Sequence, residues 1–370
     1  MKDVFDADDG DNNIKLLVAR VRKLCTAFNT SPHKAALLAS AQAAANRAQL
    51  AVVRDVPTRW LSLHAMLDRF VTIYPDVLFL TLQGKLNPTR GGEEERDVDD
   101  FITPSELHTI RRFVEVLRPI VEFVNDIEGE KYVTLAAVPV LLLRCLRTLD
   151  DNAADDNSTK ALKRRLRASL TKRLGFIVNE PNLALAAAAF DPRFGHLRFV
   201  DDGVRDRLVD ALVDWTIEFP KPVGNGVSID IEIDEATQRS LLRSTYSSLR
   251  RHLLANSPPQ CANDELYLPT EVEAKRYDAF EFWRTAEGLD NIRHIARLVL
   301  CVPATSAPSE RVFSSAGFIV NKNRARLDDE NVVMLATIRD HLQRLVTLDQ
   351  RKKFLGGCLA KLKDAADKSK

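Results

Sequence analysis

The residue types that could do chemistry are spread thin along this 370-residue chain. Five cysteines (Cys25, Cys145, Cys261, Cys301, Cys358) form no C-x-x-C or C-x-x-H pair. They offer neither a disulfide framework nor a zinc site, and they suit a reducing compartment. The seven histidines are scattered and none reads as a ligand. Asp3, Asp6, Asp8, Asp9 and Asp11 sit in a polar, unpatterned tail and follow no β-strand, so none is nominated as a metal carboxylate. Two places stand out. Arg59 beside Trp60 sets a guanidinium, which can hold phosphate, next to an indole, which can stack on a base; a core tryptophan with a surface arginine accounts for the same pair. Glu310 lies in the run SAPSERVFSSAG at 306–317, where a single carboxylate serves a local ion pair or a helix start.

The elements that must position these residues read as helices. Hydrophobic residues make up 45% and charged residues 28%, as in an ordinary globular protein, and long Leu/Ala/Val-rich stretches with only 14 glycines favour helices over a β-sandwich. Net charge is +1, but residues 14–70 carry nine Lys/Arg against two Asp, while 91–100 carry six acids and one Arg. A basic N-terminal third either meets phosphate or is a solvated helix face. The acidic start MKDVFDADDG is no signal peptide. The apolar run 135–143 contains Pro139 and is too short to span a bilayer. A soluble, intracellular protein is expected, with no membrane partner. The Lys/Arg-rich tail 351–370 reads as a weak nuclear import signal.

Apolar periodicity predicts helices at 14–31, 33–50, 60–82 (interrupted at Pro75), 133–149 around Pro139, 204–219 and 235–254. Residues 51–56 read as a strand or an extended connector, and 84–102 as a polar loop. Thr103-Pro104-Ser105-Glu106 is a helix start with a capping box, for a helix running toward Asn125. Residues 160–174 form a basic amphipathic helix, with Leu162, Leu166, Leu170 and Leu174 on one side and seven Lys/Arg around the rest. That face either follows a DNA backbone or is simply solvated. Residues 183–190 (LALAAAAF) are a buried segment ending at Asp191-Pro192. Residues 220–234 are a loop with an edge strand, and 255–264 (ANSPPQCAND) a linker. Helices follow near 290–301, 306–317 and 328–346. Ile292, Ile295, Ala296 and Val299 form the apolar face of the first. Thr305 or Ser306 caps the second, with Gly317 at its end, and Asp328 caps the third. In the third, Leu335, Ile338, Leu342 and Leu345 repeat with the a-and-d spacing of helix association.

The string itself is more specific than its periodicity. Residues 280–345, with SAPSERVFSSAG and a downstream Arg324-Ala325-Arg326-Leu327, closely resemble the C-terminal dimerisation region of the hAT transposase superfamily. Asp55-Val56-Pro57-Thr58-Arg59-Trp60, followed by Leu63 and Met66-Leu67, is similar to the family's T-R-W block. Phe190-Asp191-Pro192-Arg193-Phe194 is similar to its D-P-R-F segment. One departure is Glu287-Gly288-Leu289-Asp290, where the family usually has Tyr-Pro.

The resemblance implies a mainly α protein: a helical insertion domain followed by the closing helices of an RNase H-like fold whose early strands are missing. Its implied divisions are an acidic disordered tail at 1–13, insertion-like helices at 14–254, the linker, the dimerisation region at 265–346 and a basic tail at 347–370. It implies a dimerisation module that pairs with itself or with related hAT proteins through Val312, Phe313, Leu335, Ile338 and Leu342. It further implies residual DNA binding through Arg59 and Trp60. In such transposases two aspartates and a glutamate hold two Mg²⁺ ions; the matching glutamate is Glu310, and the aspartates belong before the segment starting at residue 14. With one carboxylate the catalytic triad is incomplete, so no metal, no cofactor and no catalysis by this chain alone are expected, and Mg²⁺ enters only if aspartates are supplied. Two alternatives stand beside this reading: a fragment of an active Mg²⁺-dependent DNA transposase, and a domesticated DNA-binding regulatory protein in the nucleus.

Overall fold

The computed structural model describes residues 12–56, 60–86, 101–129, 133–219, 234–262, 264–268, 270, 276–319 and 329–344. They are mainly helical, and no β-strand occurs among them. The expected acidic tail up to residue 11, the edge strand within 220–233, the basic loop 321–326, the cap at Asp328, Leu345 and the basic tail lie outside the described residues. The chain divides at Val302/Pro303 into two compact units.

The first unit opens with four helices: α1 (Asn12–Thr30), α2 (Pro32–Ala44), α3 (Trp60–Leu82) and α4 (Pro104–Ile127). Helix α1 buries Leu17, Val21, Cys25 and Phe28, residues spaced three or four apart as one helical face requires. Ser31 caps α2 by accepting from the Lys34 N–H, and Pro32 takes the first turn. That helix ends at Ala44, six residues short of the sequence reading, because Asn46 adopts a positive φ of 54° and closes it. The chain then passes Gln42, whose buried amide both donates to and accepts from the backbone of Leu50. This pairing orders the entry to 51–56, which forms a connector and no strand.

Helix α3 runs unbroken through Pro75, against the expected interruption. Phe70, Ile73, Tyr74, Val77 and Leu80 are all buried around it, and burial of that stripe outweighs the ~3 kcal/mol that an interior proline costs. The capping box of α4 is present in full: Thr103 Oγ1 accepts from the Glu106 N–H, and the Glu106 carboxylate accepts from the Thr103 N–H at 2.8 Å. Arg20 of α1 donates to the same carboxylate at 2.6 Å, tying the two helices together.

A 3-10 turn (Leu135–Ala137) leads into α5 (Val138–Thr148), α6 (Asn157–Leu174), the short α7 (Phe176–Asn179), α8 (Leu183–Phe190), α9 (Asp202–Glu218), α10 (Glu235–Ala255), α11 (Ala279–Thr285) and α12 (Arg293–Leu300). Pro139 falls in the first turn of α5, where its missing N–H costs nothing, so it starts that helix instead of lying within it. Helix α8 is buried at every position from Ala184 to Phe190. Its alanines let the 3-10 turn, α5, α9 and α12 all pack against it. Residues 255–264, expected as a linker, lie within the first unit; Pro259–Ala262 makes a 3-10 turn. The second unit holds α13 (Ala307–Ile319) packed on α14 (Asp329–Arg344).

Candidate association surface

Among the described side chains of α13 and α14, several large apolar ones stand exposed. Phe313 is 74% exposed and Val333 64%, and Met334 is also exposed. Val312, Leu335, Ile338 and Leu342 are half-buried, and Ala336 is buried. The a-and-d stripe of α14 is thus partly covered, while Val333 and Met334 stand outside it. Sequence periodicity missed these two. The signal was the run VVMLA at 332–336, apolar all round the helix and therefore too wide for a single packed face.

The start of α13 accounts for Glu310. Thr305 Oγ1 accepts from the Ala307 N–H at 3.2 Å, and Ser306 Oγ donates to Glu310 Oε1 at 2.8 Å. The exposed carboxylate lies in the first turn, where the helix dipole favours a negative charge. Gly317 lies inside α13, which continues to Ile319, so it does not end the helix as expected. Among the described residues no three His, Cys, Asp or Glu side chains gather to hold a metal ion. An exposed carboxylate satisfied by its own helix cap does not fit a two-Mg²⁺ centre, and no step is derived through one.

Upstream, within the first unit, α11 and α12 are core elements. Trp283, Leu289, Ile292 and Ala296 have no exposed surface. Trp283 Nε1 donates to the Phe190 carbonyl at 2.7 Å, and the two rings meet edge to face at 5.7 Å. The expected apolar face of Ile292, Ile295, Ala296 and Val299 is buried as read. Where the Tyr-Pro is absent, Gly288 supplies the turn with a positive φ of 72°. Trp283 thereby docks onto the turn that follows α8. There Asp191 and Arg193, both buried, form a two-point ion pair: Arg193 Nε donates to Oδ1 at 2.9 Å and Nη2 to Oδ2 at 2.6 Å. Arg193 Nη2 also reaches the Val133 carbonyl, and its guanidinium lies over Phe194 at 5.1 Å. The D-P-R-F segment is therefore a charged turn sealed inside the core.

The candidate nucleic-acid pair is divided by the described range. Arg59 lies outside it, and Trp60 is the first residue of α3. Just upstream, Asp55 accepts from Arg22 Nε at 2.9 Å and from Ser62 Oγ at 2.8 Å, which anchors the approach to this block. Much of the N-terminal basic charge is internally answered: Arg20 by Glu106, Arg22 by Asp55 and Arg47 by Asp76. The basic helix α6 behaves likewise. Lys163, Arg164 and Arg167 pair with Asp155, Asp151 and Asp150 of the preceding loop.

Residues 263–342 match the family model described as the hAT family C-terminal dimerisation region. No curated protein matches the chain. The described helices from α11 to α14 thus belong to a dimerisation region, with a core-embedded first half and an apolar, exposed second half. The family signal is hAT, and it covers residues 263–342 of the chain. Among the described residues no helix is long and apolar enough to cross a membrane.

Proposed function

We propose that this chain is a self-association module of transposase origin, pairing with a second copy or a related hAT protein through the α13–α14 hairpin. The observation that carries this is the exposure of Phe313 and Val333 on helices that lie within the matched dimerisation region. Two large apolar side chains left in water are what an isologous interface buries. Val312, Leu335, Ile338 and Leu342 extend the same surface. Multi-angle light scattering on the full chain at tens of micromolar tests the reading. A dimer that a Phe313→Ser, Val333→Asp double variant converts to monomer is the expected result; a monomeric wild-type chain sinks it.

The proposal extends to residual DNA contact through Arg59 and Trp60, and to α11–α14 as descendants of the closing helices of an RNase H-like fold. Support comes from Trp60 standing at the start of α3 and from the family of the C-terminal region. Binding to a DNA hairpin that weakens with salt and is lost in Trp60→Ala is the expected result. Equal binding by wild type and variant removes this part of the reading. Glu310 enters the proposal as a helix-start residue. Strand transfer by this chain alone forms no part of it, and nuclear localisation follows only if DNA is bound.

A further inference from the structure

Helices α9 and α10 are zipped along one stretch by Arg239–Asp214 and Arg243–Asp210. One turn further on, the ladder fails. Ser247, four residues after Arg243, turns its hydroxyl back to the Arg243 carbonyl, so no arginine continues the ladder at that position. Here the helices part over a cavity of about 520 Å³, closed beneath by the end of α8 and the turn after it. That size is within the range of small-molecule sites. Its floor is apolar, from Leu197, Leu208, Leu212 and Leu249. Its mouth holds Arg205 and Arg250.

These two guanidinium groups are differently committed. Arg205 is mostly buried, pairs with Asp202 and donates to the Leu197 carbonyl at 3.3 Å. Arg250 has no hydrogen bond or ion pair among the described residues. Next to them, between the cleft-lining Gly195 and Leu197, His196 is 2% exposed and its Nε2 has no partner. Its Nδ1 is already used, accepting from the Arg198 N–H. Burial and then the nearby Arg250 act against the charge of Arg205, while Asp206 and Asp201 favour it, which marks all four groups as neighbours. Against the two cations the mouth offers Asp202, already spent on Arg205, and Asp206. Arg205 is thus answered by carboxylates, and exposed Arg250 is the guanidinium whose donors stand open to a ligand at the mouth of an apolar cleft.

We propose that this cleft is a receptor for a small organic anion, a carboxylate or phosphate monoester on an apolar body. Arg250 holds the charged group, with Arg205 beside it, and the leucine floor takes the body. The site belongs wholly to the first unit and is independent of self-association.

Isothermal titration of the full chain with phenyl phosphate, benzoate and inorganic phosphate tests it. Saturable binding of phenyl phosphate or benzoate is expected, with inorganic phosphate weaker by on the order of tenfold because it leaves the floor unused. Arg250→Gln, at an exposed position, weakens the organic anion on the order of tenfold. Val209→Trp, filling the cleft from a half-buried position, abolishes binding, while both variants retain cooperative thermal unfolding. No saturation, equal affinity for inorganic and phenyl phosphate, or affinity unchanged in Arg250→Gln overturns the proposal.

Discussion

Asp191 and Arg193 are two residues apart in sequence, and the turn between them folds one guanidinium onto one carboxylate with almost no solvent at either side chain. Such a pair is not a source of net stability, but removing half of it strands a buried charge. Asp191→Ala should therefore cost about 3–5 kcal/mol, read as a lowered urea midpoint with unchanged slope. His196 sets a pH window by the same physics. Burial first, then Arg198 and Arg250, push its imidazole down from 6.5 to about 4. The unfolded chain binds this proton below pH 6.5 and the folded chain does not until about 4. Stability should thus be complete above that window and fall on acidification through it, by up to about 1.4 kcal/mol per pH unit from this one group. Urea titrations at stepped pH check this: the slope between those limits flattens in His196→Gln. Glu310 belongs at this scale too, as a cap whose change to Gln shifts stability by less than about 1 kcal/mol and leaves association intact.

Helix ends were the part of the fold most legible in the sequence. Thr103-Pro104-Ser105-Glu106 predicted a capping box, and both of its bonds are present. Thr103→Ala should cost about 1 kcal/mol, seen by chemical denaturation. The same Glu106 also receives Arg20, whose partner lies 86 residues away and could not be read locally. Burial opposes the Glu106 charge, but the bonds from Arg20 and Thr103 outweigh it and hold its carboxyl below the usual range. That part of the stability is present above the ordinary glutamate pKa and lost as the pH falls below it. Prolines were read less well. Pro75, expected to interrupt its helix, is carried inside it, and Pro139, expected within a helix, opens one. Gly195 was silent for a different reason. A Cβ there would lie 2.4 Å from Leu253 Cδ1 and 3.1 Å from the Asp191 carbonyl. Close approach between segments 58 residues apart leaves no local trace, and Gly195→Ala should cost about 1–3 kcal/mol, measured in the same assay.

At the scale of the molecule, the matched region separates into two kinds of surface. Its first half is bound into the first unit through Trp283 and α12; its second half exposes Phe313 and Val333. Changes at the two should have separate consequences. Trp283→Phe, which orphans the Phe190 carbonyl, should lower stability by about 1–3 kcal/mol without altering the subunit count of the folded fraction. Phe313→Ser should weaken association while the concentration-independent part of stability moves by less than about 1 kcal/mol. Thermal melts and light scattering on both variants check this; coupled changes in either would mean that the two halves do not act separately.

By itself the sequence determined the helical class, most helix starts, the buried faces of α8 and α12, and the family of the C-terminal region. These depend on neighbours three or four residues apart or on a contiguous string, and both are written in the order of residues. The tertiary structure decided which charges were already spent. The basic runs of α1 and α6 suit either phosphate or water by sequence; in the fold Glu106, Asp55 and the loop aspartates lie opposite several of their cations. It also decided that the D-P-R-F segment is a sealed core turn and that Glu310 answers to Ser306. Charge type is fixed residue by residue, but its use depends on which opposite charge and how much water the fold brings near, and that is a property of distances between segments far apart in the chain.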